Sequence, residues 1–330
     1  MKRLIVMGLM ALAILAAGIA TLARNTEAIE PTRPQHALTA RGPEVVLQLP
    51  WGDGPDSIGR TDPDQASPEG PMSFALGTDG ELWILDQVNR RAARFGPDGT
   101  LVAASPLPCG TVQDMEVAAD GNLVLLDRLV RQSVMVVAPS GQMIREEGLV
   151  GDGIADGGGV SAMFAAEDGV WIEFEHTHMV RVLDETHRPV KRHLLSGRPA
   201  DPSRRVVASI DGQGGAYLKL EDLSGVSQAR TQLRLDRRIE RIVWVEAQPG
   251  RNVLAVFHLM ESGPASSIAF EGVQGVLFDE LLQERGTFVS PYTIRRWEQF
   301  REFRVGRDGA VWQMALTDGG VVVLRWRWAP

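Results

Sequence analysis

One phrase recurs along this chain: a glycine turn, a short β-rich apolar run, then a carboxylate. The copies read Asp79-Gly80-ELWIL-Asp86, Asp120-Gly121-NLVLL-Asp127, Asp168-Gly169-VWIEF-Glu175 and Gly214-Gly215-AYLKL-Glu221, and a further start, Asp308-Gly309-AVWQMAL, lies near the C-terminus. The second glycines are separated by 41, 48 and 46 residues, and the last interval, 94, is two such steps. A period in the forties, built from short strands and glycine turns, is the mark of a β-propeller, whose blades bury their faces only against one another.

The expected fold is therefore all-β, a six-bladed propeller of four-stranded antiparallel blades over residues 44–330. Alternation and turn signals place blade one between Met72 and Ser105, blade two from Val112 to Leu149, and blade three from Val160 to Ser196. Blade four then runs from Arg205 to Leu235 and blade five from Ile239 to Phe288, with VLFDELLQER at 276–285 read as a short inserted helix. The last blade supplies strands at Phe300–Val305, Ala310–Leu316 and Val321–Trp328, one short of four. The orphan strand Glu44–Pro50 is expected to complete it, closing the ring and removing its exposed edges.

Ahead of the strands, Lys2-Arg3 and the uncharged run Leu4–Ala23 read as a signal peptide or an N-terminal membrane anchor over 1–23. Residues 24–43, polar and punctuated by proline, read as a flexible linker. The chain is thus expected in the periplasm or outside the cell, or tethered to the inner membrane by an uncleaved helix. Membrane contact is expected only through this segment. With Cys109 the only cysteine, no internal disulfide can form, which points to a bacterial envelope. The net charge of -8 and scattered arginines exclude the concentrated basic footprint that nucleic acid requires. A monomer is expected.

Asp86-Gln87-Val88-Asn89-Arg90-Arg91-Ala92 resembles the NHL-repeat signature: an Asp, an Asn three places on, an Arg at the fifth, and apolar residues leading to a turn glycine. The upstream WGDGP…EGPMSFAL is similar to the NHL lead-in of glycine-rich loop, proline and innermost strand. The match covers residues 51–105; blade two keeps Asp127 but has Val130 and Gln132 where Asn and Arg belong. The resemblance implies a six-bladed propeller of a kind that mostly binds proteins, with a minority of enzymes.

The recurring carboxylates Asp86, Asp127, Glu175 and Glu221 end equivalent strands and are expected on one face of the disc, as a binding-face cluster or as acceptors in their own turns. His176 and His178, two apart in an expected extended strand beside Glu175, point the same way, a spacing used in metal sites, with no third ligand visible. No cofactor is expected beyond a divalent cation at that pair. Trp83, Trp171, Tyr217 and Trp312 recur after the turn glycine and are expected to fill the core between blades. The glycine run 151–159 fails as a calcium loop, because a frame starting at Asp152 puts Met163 where a bidentate Glu is required. No GxSxG, HExxH or SxxK frame is present.

These residues support an exported, non-catalytic propeller acting as a protein- or ligand-binding scaffold, with a protein or glycan partner in the envelope and no catalytic residue assigned. The alternative is a metal-dependent hydrolase or lyase of the gluconolactonase-like or amidoglycolate-lyase-like propeller type.

Overall fold

The structure, a computed structural model, describes residues 38–39, 42–65, 67–248, 252–262, 268–292 and 298–328. The expected leader, 1–23, and most of the expected linker lie outside the described residues. Among the described residues no helix is long and apolar enough to cross a membrane.

Six antiparallel sheets follow one another along the chain and form the blades of a ring. In blades one to four the first strand lies innermost and the last outermost, whereas in blades five and six an N-terminal strand forms the outer edge. Blade one comprises Ser73–Leu76, Leu82–Asp86, Arg91–Phe95 and Leu101–Pro106, and blades two and three repeat it from Asp114 and Val160. Blade six takes Phe303–Val305, Val311–Thr317 and Gly320–Trp326 from the C-terminus and Glu44–Pro50 from the N-terminus. The closing ladder runs from Glu44 opposite Arg325 to Pro50 opposite Gly320. The expected closure holds.

The turn that opens the second strand has a local cause. Gly80, Gly121 and Gly309 adopt φ of +88°, +84° and +78°, a region costly for a side chain bearing Cβ. The preceding aspartate accepts the backbone N–H two residues on: Asn122 N donates to Asp120 at 3.0 Å and Ala310 N to Asp308 at 3.0 Å. Asp and Gly therefore divide the work of one tight reversal.

The core lies between blades rather than at the axis. Leu47, Leu49, Met314 and Val323 of blade six pack on Phe74 and Ile84 of blade one. Trp83 and Leu85 then meet Met115, Leu125 and Met135 of blade two. Trp83, Trp171 and Trp312 are buried as expected, and the Trp326 ring lies tilted against Phe288 of blade five with centroids 4.5 Å apart.

Three expectations are corrected. Residues 276–285 are not a helix: Ile268–Asp279 is one long strand and Glu284–Val289 the next. The long strands Asn252–Ser262 and Ile268–Asp279 pair over nearly their whole length, so ladder bonding overrides the helical composition. Leu38–Thr39, inside the stretch read as linker, pairs parallel with Gly286–Thr287 at the outer edge of blade five.

The third correction concerns phase. Blade four begins at Arg198–Asp201, turns at Pro202-Ser203, and has Arg204–Ile210 as its second strand. The Gly214-Gly215 copy therefore opens the third strand, Ala216–Asp222, not the second. Tyr217 is accordingly 37% exposed instead of buried. The 46-residue step was a coincidence of spacing between turns on opposite faces.

Candidate functional site

The innermost strands carry charge where a propeller axis would otherwise be open. Asp114 and Glu116 alternate on the first strand of blade two, so both point the same way, toward the channel. Arg301, ahead of the first strand of blade six, donates to Asp114 through Nη2 at 2.6 Å and Nε at 3.0 Å, and to the Met163 carbonyl of blade three. Its Nη1 lies 3.1 Å from Glu116. Arg304, one step further along, bridges Glu116 of blade two and, at 3.1 Å, Glu246 of blade five. The two arginines thus span the ring.

Aromatic rings hold these cations in place. Arg301 lies 4.7 Å from the Trp244 ring and 5.4 Å from Phe164, and Arg198 of blade four lies 4.5 and 5.4 Å from the same rings. Arg198 also pairs with Glu173, at 2.8 Å from Nε. Trp244 Nε1 donates to Glu246 at 3.0 Å. Burial pushes the Glu116 carboxyl above its ordinary value, although Arg301 and Arg304 draw it down. Burial acts the same way on Glu173, but Arg198, His176 and Ser161 outweigh it and hold that carboxyl well below the usual range.

On the face of the Asp-Gly turns, this layer becomes the floor of an open cavity of about 670 Å³. Every blade contributes a wall: Asp79, Val117, Glu167, Asp201, Gln248 and Arg307 come from blades one to six in order. Glu116, Glu246 and Arg304 look into it from below.

The residues singled out in the sequence lie elsewhere. Asp86, fully buried, accepts from Gly59 N at 2.9 Å, Asn89 Nδ2 at 2.9 Å and Arg91 Nε at 2.8 Å. Asn89 and Arg91 also donate to the carbonyls of Gly52, Gly54 and Ser57. The signature residues together fasten the loop leading into blade one, and Ile58 of that loop is completely buried. Asp127 serves blade two similarly, accepting from Thr111 Oγ1 and from Val130 N at 2.9 Å, with Cys109 Sγ 3.6 Å away. Glu175 is exposed in the corresponding turn of blade three. These three lie on the face opposite the cavity. Glu221 does not join them: the phase of blade four puts it toward the cavity side, 3.9 Å from Lys219.

The histidine pair is not in an extended strand. The second strand of blade three ends at Phe174, and Glu175 and His176 turn with φ of +50° and +55° before His178 begins the third. His176 Nδ1 lies 3.2 Å from Glu173, whereas His178 Nε2 lies 2.7 Å from the Gly153 carbonyl. Among the described residues no group of three His, Cys, Asp or Glu is placed to hold a metal ion.

Sequence reasoning missed Arg301, Arg304, Glu116 and Glu246. A signal existed: Asp114-Met115-Glu116 puts charge at alternate positions of a strand that the repeat already made innermost.

No protein-family model matches the chain, and no curated protein matches it. Among solved structures it is similar to hydrazine synthase of Kuenenia stuttgartiensis, at 13% identity over 77% of this chain and 78% of that one, with a TM-score of 0.49. A member of the DUF4221 family from Bacteroides vulgatus gives 9% identity, 88% and 98% coverage, and a TM-score of 0.49. BamB from Moraxella catarrhalis gives 11%, 88% and 100%, and 0.41. At such identities and TM-scores these likenesses carry no functional information.

Proposed function

We propose that this chain is an exported, non-catalytic β-propeller that binds a protein or other ligand in the bacterial cell envelope. The observation that carries the reading is the division of labour at the axis. The charged groups of the channel are joined in cross-ties between blades, Arg301 with Asp114 and Arg304 with Glu116 and Glu246. The open space beyond them is a cavity walled by turns from all six blades. Preformed concave sites of this size, with polar groups converging from several elements, are where proteins take ligands. Export rests on the basic, then apolar, N-terminal segment.

Cell fractionation of the expressed full chain, followed by cross-linked capture from the envelope fraction, tests the reading. Recovery with the envelope and a specific cross-linked partner is expected. Retention in the cytoplasm would sink the export half. Stoichiometric, tightly held divalent metal, lost on changing His176 and His178 to Ala, would replace the binding half with a metal-dependent enzyme.

A further inference from the structure

We propose that the axial cavity is a binding site for a short zwitterionic peptide segment, its carboxylate toward the arginines of blade six and its ammonium toward the acidic floor and far wall. This rests on the binding reading above and gives it a site and a ligand class.

The cations lining the cavity are sorted by blade. Arg304, Arg307, Arg325 and Arg327 all belong to blade six. The lining carboxylates come from every blade, Asp79, Glu116, Glu167, Asp201 and Glu246 from blades one to five and Asp308 beside the arginines of blade six, so only blade six carries a surplus of cations. Rim and floor are also unbalanced within themselves. At the blade-six rim, Arg325 and Arg327 share one carboxylate, Glu44, at 2.8 and 4.0 Å, which leaves positive charge in excess. At the floor, Asp114, Glu116 and Glu246 place three carboxylates on the two guanidiniums of Arg301 and Arg304, which leaves negative charge in excess.

A second observation points to a ligand independently. Arg304 is 6% exposed and lines the cavity, yet its Nε–H has no hydrogen-bond partner. A buried donor left unpaired costs free energy, which an incoming acceptor recovers once the Arg304 side chain turns this N–H toward the cavity. A peptide supplies carbonyl and carboxylate oxygens along its length, and its terminal ammonium supplies the charge that the floor lacks.

Other ligand classes suit the cavity less well. A polyanion would meet carboxylates from all six blades. A glycan stacks on open aromatic faces, but the aromatic lining residues Phe164 and Trp312 already have arginines over their rings, at 5.4 and 4.9 Å. A volume of about 670 Å³ admits a segment of a few residues, not a folded domain.

Isothermal titration of the full chain with tri-alanine, N-acetyl-tri-alanine and tri-alanine amide tests this. Tri-alanine with both ends free is expected to bind one-to-one, and each capped form roughly tenfold more weakly, because each loses one charge-assisted contact. Arg327→Gln, at a side chain more than half exposed, should weaken tri-alanine while leaving its amide unchanged. Equal binding of free and capped peptides, or no heat from any of them, would overturn the proposal. If the peptides fail while a specific envelope partner is still captured, the binding reading stands and only this site falls. If both fail, both fall.

Discussion

Arg301 and Asp114 stand 187 positions apart in the sequence and meet at 2.6 Å with neither side chain exposed to solvent. A pair this deep is a weak source of net stability while intact, because desolvation offsets attraction, but a single broken partner leaves an uncompensated charge. Arg301→Met should therefore cost about 3–5 kcal/mol in chemical denaturation. Arg301→Lys should rescue little of it, since a single ammonium cannot reproduce the two-pronged contact to Asp114 together with the bond to the Met163 carbonyl. A near-neutral Arg301→Met would contradict the cross-tie.

Glu116 should make the fold less stable as pH rises through the region above its ordinary value of 4.5. Its carboxyl is raised in the native state, so the native chain holds a proton that the unfolded chain has released. Stability from this group is present at low pH and lost on going up through its native value. Glu116→Gln is neutral throughout, and it should gain on the parent as pH rises above the ordinary carboxyl value. A difference in unfolding free energy that stays flat with pH would count against it.

Glu173 should behave in the opposite sense. Despite its burial, Arg198 and its hydrogen-bond donors keep it ionised far into acid, so its contribution is present above the unfolded carboxyl value and lost as pH falls toward the depressed one. Glu173→Gln should destabilise near neutrality, and the deficit should shrink as the medium is acidified. Denaturation series at several pH values would show the two variants diverging from the parent in contrary directions.

Asp86 is expected to control the loop entering blade one rather than only its own turn. Asp86→Ala removes the acceptor for Gly59 N, Asn89 and Arg91 at once and should cost about 2–3 kcal/mol through the groups left unpaired. The sharper measurement is hydrogen exchange. The Gly59 amide should lose protection while amides in blade four keep theirs, and uniform loss across the ring would show that the effect is not local.

How much of this was legible beforehand depended on the range of the interaction. Asp79-Gly80 and Asp308-Gly309 disclose their turns because both halves of the reversal are adjacent residues. The spacing of such turns disclosed the blades, and the shortage of one strand at the C-terminus disclosed the closure by Glu44–Pro50. Blade four misled because Gly214-Gly215 obeys the same local chemistry at the other end of a strand. Spacing alone cannot tell a turn on one face from a turn on the other. The channel was hidden for a different reason. Arg301, Asp114 and Glu246 are unremarkable charges in their own segments and acquire meaning only when the ring brings three blades to one axis.

The closing ladder also fixes the order in which this molecule can be finished. Glu44 meets Arg325, a residue made 281 positions later. Glu44–Pro50, made before any blade, is thus among the last strands to be docked, and the nascent chain carries two unmatched sheet borders until its final blade appears. Long-range pairing of this kind slows folding and lengthens the time during which those borders can recruit the wrong partner. A loss of the last few residues would therefore be felt at the beginning of the sheet sequence as much as at its end.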